Sequence, residues 1–214
     1  MKRYDVAEGR SVLSRLRALR PARRTTFSES LRIAELQATR LLSLTGVEDF
    51  PVPNEIISEL PRIKVVTEPI PTSGLSFWDG QQWIISLNRL EPWTRQRFTL
   101  LHEYKHIVDH GHVADLYPGG RGRTSVQQAE QAADFFAGCV LMPRRHLKAA
   151  YGRGLQTPAV LADYFEVSER AVTVRLAQTG LSTATVRCGG PGARSARRYY
   201  RTTATTTSLV GTPA

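Results

Sequence analysis

Five residues in the middle of the chain, His102-Glu103-Tyr104-Lys105-His106, set two imidazoles and a carboxylate in the pattern H-E-x-x-H. On an α-helix, residues four apart differ by about 40° of rotation and about 6 Å of rise, so both imidazoles can face one metal ion. Glu103 then stands beside the open coordination position. A carboxylate there can take a proton from water and pass it to a leaving amine. The chemistry expected is zinc-dependent hydrolysis of a peptide bond, with Zn2+ as cofactor, His102 and His106 as ligands and Glu103 as catalytic base. The segment RFTLLHEYKHIVDH supports the helix, because Phe98, Leu101 and Val108 give it an apolar side.

A catalytic zinc takes three protein ligands and keeps one position open. Three residues compete for the third place. Glu130 lies in a stretch where Val126, Ala129, Ala133, Phe136, Ala137 and Val140 recur at helical spacing, so its carboxylate is expected along the inward stripe, where a metal would offset its burial. The bland alternative is an exposed glutamate near a helix start, favoured by the helix dipole. His112 stands ten residues after His102, as in the extended H-E-x-x-H-x-x-G-x-x-H pattern, but Asp109 occupies the glycine position at which the helix must break. His110 follows His106 by four residues and drifts about 80° from His102, which suits lining the site better than ligation. Asp134, four residues beyond Glu130, could accept the N–H of a ligating histidine or simply be solvated. His146 carries no assignment.

Further elements must hold these groups. Ser28 resembles an N-cap before ESLRIAELQATRLLSLTG, and a short helix is expected over Asn54 to Leu60. IKVVTEPI and QQWIISLN have the β-branched and aromatic content of strands, with PTSG and Asp79-Gly80 read as turns between them. WIISLN is expected to offer an edge to an extended substrate. Thr94 is the expected cap of a helix from about Arg95 to Asp109, and a second long helix is expected from Ser125 to Leu141. The polar, Gly-rich HGHVADLYPGGRGRT between them reads as a loop. TPAVLADYFEVSERAVTVRLAQTG reads as two short helices around Val167-Ser168.

The chain has 214 residues, 41% of them hydrophobic, enough for one catalytic domain with an accessory element. No apolar run approaches membrane-spanning length and the basic start lacks the apolar run of a signal peptide, so a cytoplasmic protein without membrane contact is expected. Two cysteines, Cys139 and Cys188, make no disulfide framework. The net charge of +10 sits at the ends: residues 1–45 hold ten basic and four acidic residues, and residues 187–214 hold five arginines and no acid. Direct nucleic-acid binding is therefore expected, if at all, only through the termini. The expected organisation is a flexible basic segment over 1–28, a metallopeptidase domain over 29–150, a helix-turn-helix-like helical subdomain over 151–186 and a disordered basic, Thr-rich tail over 187–214.

RFTLLHEYKH, followed by E-x-x-A-D-x-F-A and closing in LMP, resembles the ImmA/IrrE family of metallo-endopeptidases, from about Leu31 to about Leu181. The resemblance implies an α+β, mainly helical zincin-like domain with a small β-sheet. It implies zinc on His102, His106 and Glu130, with Glu103 as general base. It also implies cleavage of a DNA-binding, helix-turn-helix repressor to derepress mobile-element, phage or stress genes. Tyr104-Lys105 replaces the family's common Leu-Gly, and Ala132 stands where many members have a second acid. No repressor-type DNA-binding domain is evident in the Arg-rich start. LADYFEVSERAVTVRLAQTGL resembles a helix-turn-helix with Arg170 and Arg175 on its second helix, and protein contact is expected of it before base readout. The rival reading is a non-catalytic protein that binds a repressor or acts as a sensor on the same fold.

Overall fold

In the computed structural model, which describes residues 11–120 and 122–181, the sheet that positions the site is small and mixed. Strands β1 (Ile63–Glu68), β2 (Gly74–Trp78) and β3 (Trp83–Asn88) lie in the order β1-β3-β2. β3 pairs parallel with β1 in the register Ile63 to Trp83, and antiparallel with β2 in the register Trp78 to Trp83. This corrects the expectation that WIISLN is an edge. β3 is the central strand, and Ile85, Ser86 and Leu87 are buried in succession. β1 and β2 are the two edge strands, and β2 was hidden in the stretch read as turns.

Nine helices accompany the sheet among the described residues. α1 (Val12–Arg17) falls inside the stretch expected to be a flexible arm: Leu16 is buried, and the Arg17 guanidinium donates to the carbonyls of Ile107 and Val108. α2 (Phe27–Leu44) starts at Thr26 rather than Ser28, because Thr26 and Glu29 close a reciprocal capping box. α3 (Glu55–Ser58) follows. α4 (Trp93–Asp109) begins behind Pro92 rather than at Thr94, proline being well suited to a position just before a helix. α5 (Val113–Leu116) interrupts the segment read as a loop. α6 (Ser125–Leu141) has the expected bounds and a second capping box, Thr124 with Gln127. α7 (Arg144–Gly152), α8 (Pro158–Phe165) and α9 (Glu169–Thr179) complete the set.

The arrangement is α+β and mainly helical. α6 lies between α2 and α4, and its Ala132, Ala133 and Ala137 are fully buried, small side chains that allow close helix approach. Phe136 and Val140 extend that stripe into a core shared with Ala38 and Leu41 of α2 and with Leu100, Leu101 and Ile107 of α4. β2 and β3 pack on α4 from the other side. No helix among the described residues is long and apolar enough to cross a membrane. Residues 1–10 and the tail beyond Leu181 lie outside the described residues.

Candidate metal centre

His102 and His106, one turn apart on α4, turn their rings toward α6, with centroids 4.8 Å apart. Their Nε2 atoms are 3.0 Å apart. Glu130 of α6 meets both: one carboxylate oxygen lies 3.3 Å from His102 Nε2 and the other 3.4 Å from His106 Nε2. All three donor atoms fall within 4.8 Å of one another. Three acceptor-rich groups aimed at one point are what a small divalent ion needs, and these residues could hold one.

The route by which Glu130 reaches this point differs from the expectation. Its side chain is 54% exposed, and Val126, counted in the inward stripe, is also largely exposed. The buried stripe of α6 runs through Ala129, Ala133 and Phe136. Glu130 therefore sits on its rim and leans across the mouth of the site, so burial is not the force that orients it.

Asp134, one turn further along α6, accepts a hydrogen bond from His102 Nδ1 at 2.9 Å. That bond places the proton on Nδ1 and leaves the Nε2 lone pair facing His106 and Glu130. Burial opposes charge on His102, but the bond to Asp134 and the nearby carboxylates outweigh it and hold its pKa above the ordinary imidazole value. Burial and the neighbouring His102 hold His106 below it.

Glu103 projects toward the sheet. The Ser76 hydroxyl of β2 donates to its Oε2 at 2.8 Å. β2 approaches so closely that a Cβ on Gly74 would lie 2.4 Å from Thr99 Cγ2 and 3.4 Å from Glu103 Cγ, so glycine is required there by space rather than by backbone angle. Ser76 and Gly74 were missed because their strand was not recognised. Their signal, a short L-S-F-W alternation between turn residues, is weak. A cavity of about 310 Å³ is bounded by Gly74, His102, Glu103, Glu130 and Asp134.

The other histidines do not join. His110 is exposed at the end of α4 and stacks edge-on against Trp83 at 4.9 Å, and His112 lies 3.1 Å from Arg20 Nη2. Tyr104 and Lys105, the residues in the middle of the motif, face away from the site. Both are buried; Lys105 donates to Asp109, which also accepts from the Tyr117 hydroxyl. Their bulk is absorbed by the back of α4. Of the two arginines expected on the second helix of the helix-turn-helix-like segment, Arg170 is exposed on α9, whereas Arg175 is 3% exposed and donates to the Met142 carbonyl.

The model of one protein family, Peptidase_M78 with the description IrrE N-terminal-like domain, matches residues 59–177. No curated protein matches the chain. Among solved structures, a Mycobacterium tuberculosis transcriptional regulator superposes with a TM-score of 0.58 at 15% identity. The match covers 83% of this chain and 54% of that one, so the chain spans about half the length of that neighbour, and the likeness is one of fold.

Proposed function

Because the chain belongs to the Peptidase_M78 family of IrrE N-terminal-like domains, we propose that it is a zinc-dependent endopeptidase whose substrate is a DNA-binding transcriptional repressor. Cutting that repressor would release the mobile-element, phage or stress genes it holds off. The observation that carries the catalytic part is the convergence of His102, His106 and Glu130 beside Glu103.

Zinc suits this donor set. Bonds of about 2.0–2.2 Å to nitrogen and carboxylate oxygen put tetrahedral ligands about 3.3–3.5 Å apart; here the two Nε2 atoms are 3.0 Å apart, and each lies 3.3 or 3.4 Å from a different oxygen of the Glu130 carboxylate, which spans both. His102, His106 and Glu130 would hold the ion, leaving one position open. Zinc bound there supplies Lewis acidity, making water more acidic and a peptide carbonyl more electrophilic.

The chain's own residues supply the rest. The Ser76 hydroxyl occupies one oxygen of Glu103, so the other is left to take a proton from the attacking water and deliver it to the leaving amine. Asp134 fixes the tautomer that keeps the His102 lone pair directed inward. The outer edge of β2 offers backbone N–H and C=O groups to an extended substrate.

The test uses the metal-loaded chain and the repressor encoded beside its gene, with fragments read by mass spectrometry. Glu103→Gln should slow cleavage by about 10²- to 10⁴-fold while leaving zinc content unchanged. Cleavage by the variant at the wild-type rate would remove Glu103 from the role of base. A complex between wild type and repressor without fragments would favour a binding protein over a peptidase.

A further inference from the structure

A second groove, of about 460 Å³, continues from the site cavity; Arg95, Phe98 and Asp134 line both. Its far wall is α9, which contributes Arg170, Ala171 and Val174. The helix read from the sequence as the second half of a helix-turn-helix thus turns Arg170 into the groove that adjoins the site cavity.

The charges of this groove are unequally committed. Asp134 is engaged by His102. Arg175 is buried, with Nε on the Met142 carbonyl and Nη1 on Gln178. Arg95 and Arg170 remain. The Arg95 side chain is 56% exposed and meets Glu91 only at 3.7 Å and Ser73 Oγ at 3.3 Å. Arg170 is exposed and has no hydrogen bond or ion pair within the described residues. The same groove is lined by the half-buried Phe98 and the exposed Val174. Two available cations around an apolar floor suit a segment with an acidic side chain next to an apolar one.

Polarity follows from the sheet. Ser73 and Gly74, where β2 begins, border the site cavity, and Ser73 touches Arg95. A segment added to β2 in the commoner antiparallel sense passes the start of β2 last, so its C-terminal part enters the groove.

Building on the peptidase reading above, we propose that the groove between α4 and α9 receives the substrate residues C-terminal to the scissile bond and selects an acidic side chain there, with Arg170 as the main specificity residue and Arg95 beside it. α9 is thereby a substrate-reading helix. It recognises protein rather than DNA.

The experiment incubates the zinc-loaded full chain with amine-blocked peptides from a digested proteome and reads the new N-termini by mass spectrometry. Asp and Glu should be enriched roughly two- to fivefold within three residues after the cut, the range of a solvent-accessible ion pair. Arg170→Glu should erase that enrichment or exchange it for Lys and Arg, and Arg170→Lys should retain it; unchanged thermal melting of both variants would establish that they fold. Cleavage without acidic enrichment, enrichment on the N-terminal side, or a profile unmoved in the Arg170→Glu variant would overturn the groove assignment and leave the peptidase intact. If wild type releases no more N-termini than Glu103→Gln, the peptidase reading fails, and this proposal with it.

Discussion

α4 carries two polar clusters two turns apart, and they are built on opposite terms. Near its start, Arg97 is 1% exposed, yet its guanidinium has an acceptor for every nitrogen. Nη1 donates to the carbonyls of Phe165 and Glu166 and to the Glu166 carboxylate, Nη2 to the Val52 carbonyl, and Nε to Asn54. Further along, His102, His106 and Glu130 turn acceptors toward acceptors in a half-open setting. A closed cluster with matched donors stabilises a fold. An open one, in which lone pairs are pooled, is suited to a cation. The contrast separates structural from chemical polarity on one helix better than burial alone, since Lys105 and Asp109 are buried, charged and directed away from the site.

Three measurements would break or sharpen this contrast. Arg97→Met should cost the most, about 3 kcal/mol or more in denaturant unfolding, because several buried acceptors lose their donor at once. A loss near zero would mean that the cluster is not structural. Asp134→Asn acts on the open cluster. It should weaken zinc binding by about 10- to 100-fold, measured by competition with a chelator, and leave the melting temperature of metal-free protein nearly unchanged. The smallest effect belongs to an exposed cluster at the start of α2. The bond from Arg23 and the Thr26 backbone N–H hold the Glu29 pKa down at about 2. A carboxylate with a depressed folded-state pKa contributes stability above its ordinary value of 4.5, and that contribution fades as pH falls toward 2. Thermal melting of Glu29→Gln should therefore trail wild type at neutral pH and converge with it near pH 2.

Sequence reasoning succeeded where period and spacing carry the signal. The bounds of α6 and the C-terminal end of α4 were legible from apolar periodicity, and the meeting of His102 with His106 from the pitch of one helix. Glu130 was placed near them on the premise of burial, whereas it arrives from the rim of the stripe. β2 was lost because five residues between two turn-rich stretches give too little alternation to register. With it went Ser76, Gly74 and the identity of the sheet edge beside the site, although the run W-I-I-S-L of β3, apolar but for Ser86, already suits a central strand. Arg97 has no signature of any kind. A buried arginine is recognisable only once the carbonyls of distant segments have been brought to it.

That assembly has a kinetic side. Val52 lies 45 positions before Arg97, and Phe165 and Glu166 lie 68 and 69 positions after it. The ring of acceptors is complete only after two long loops have closed, one of which delivers the turn between α8 and α9. We expect contacts that need two long loops closed to consolidate after the folding barrier rather than in the nucleus. Losing them in Arg97→Met should therefore speed unfolding and leave the refolding rate almost unchanged, so that this arginine governs how long the assembled site lasts rather than how quickly it forms.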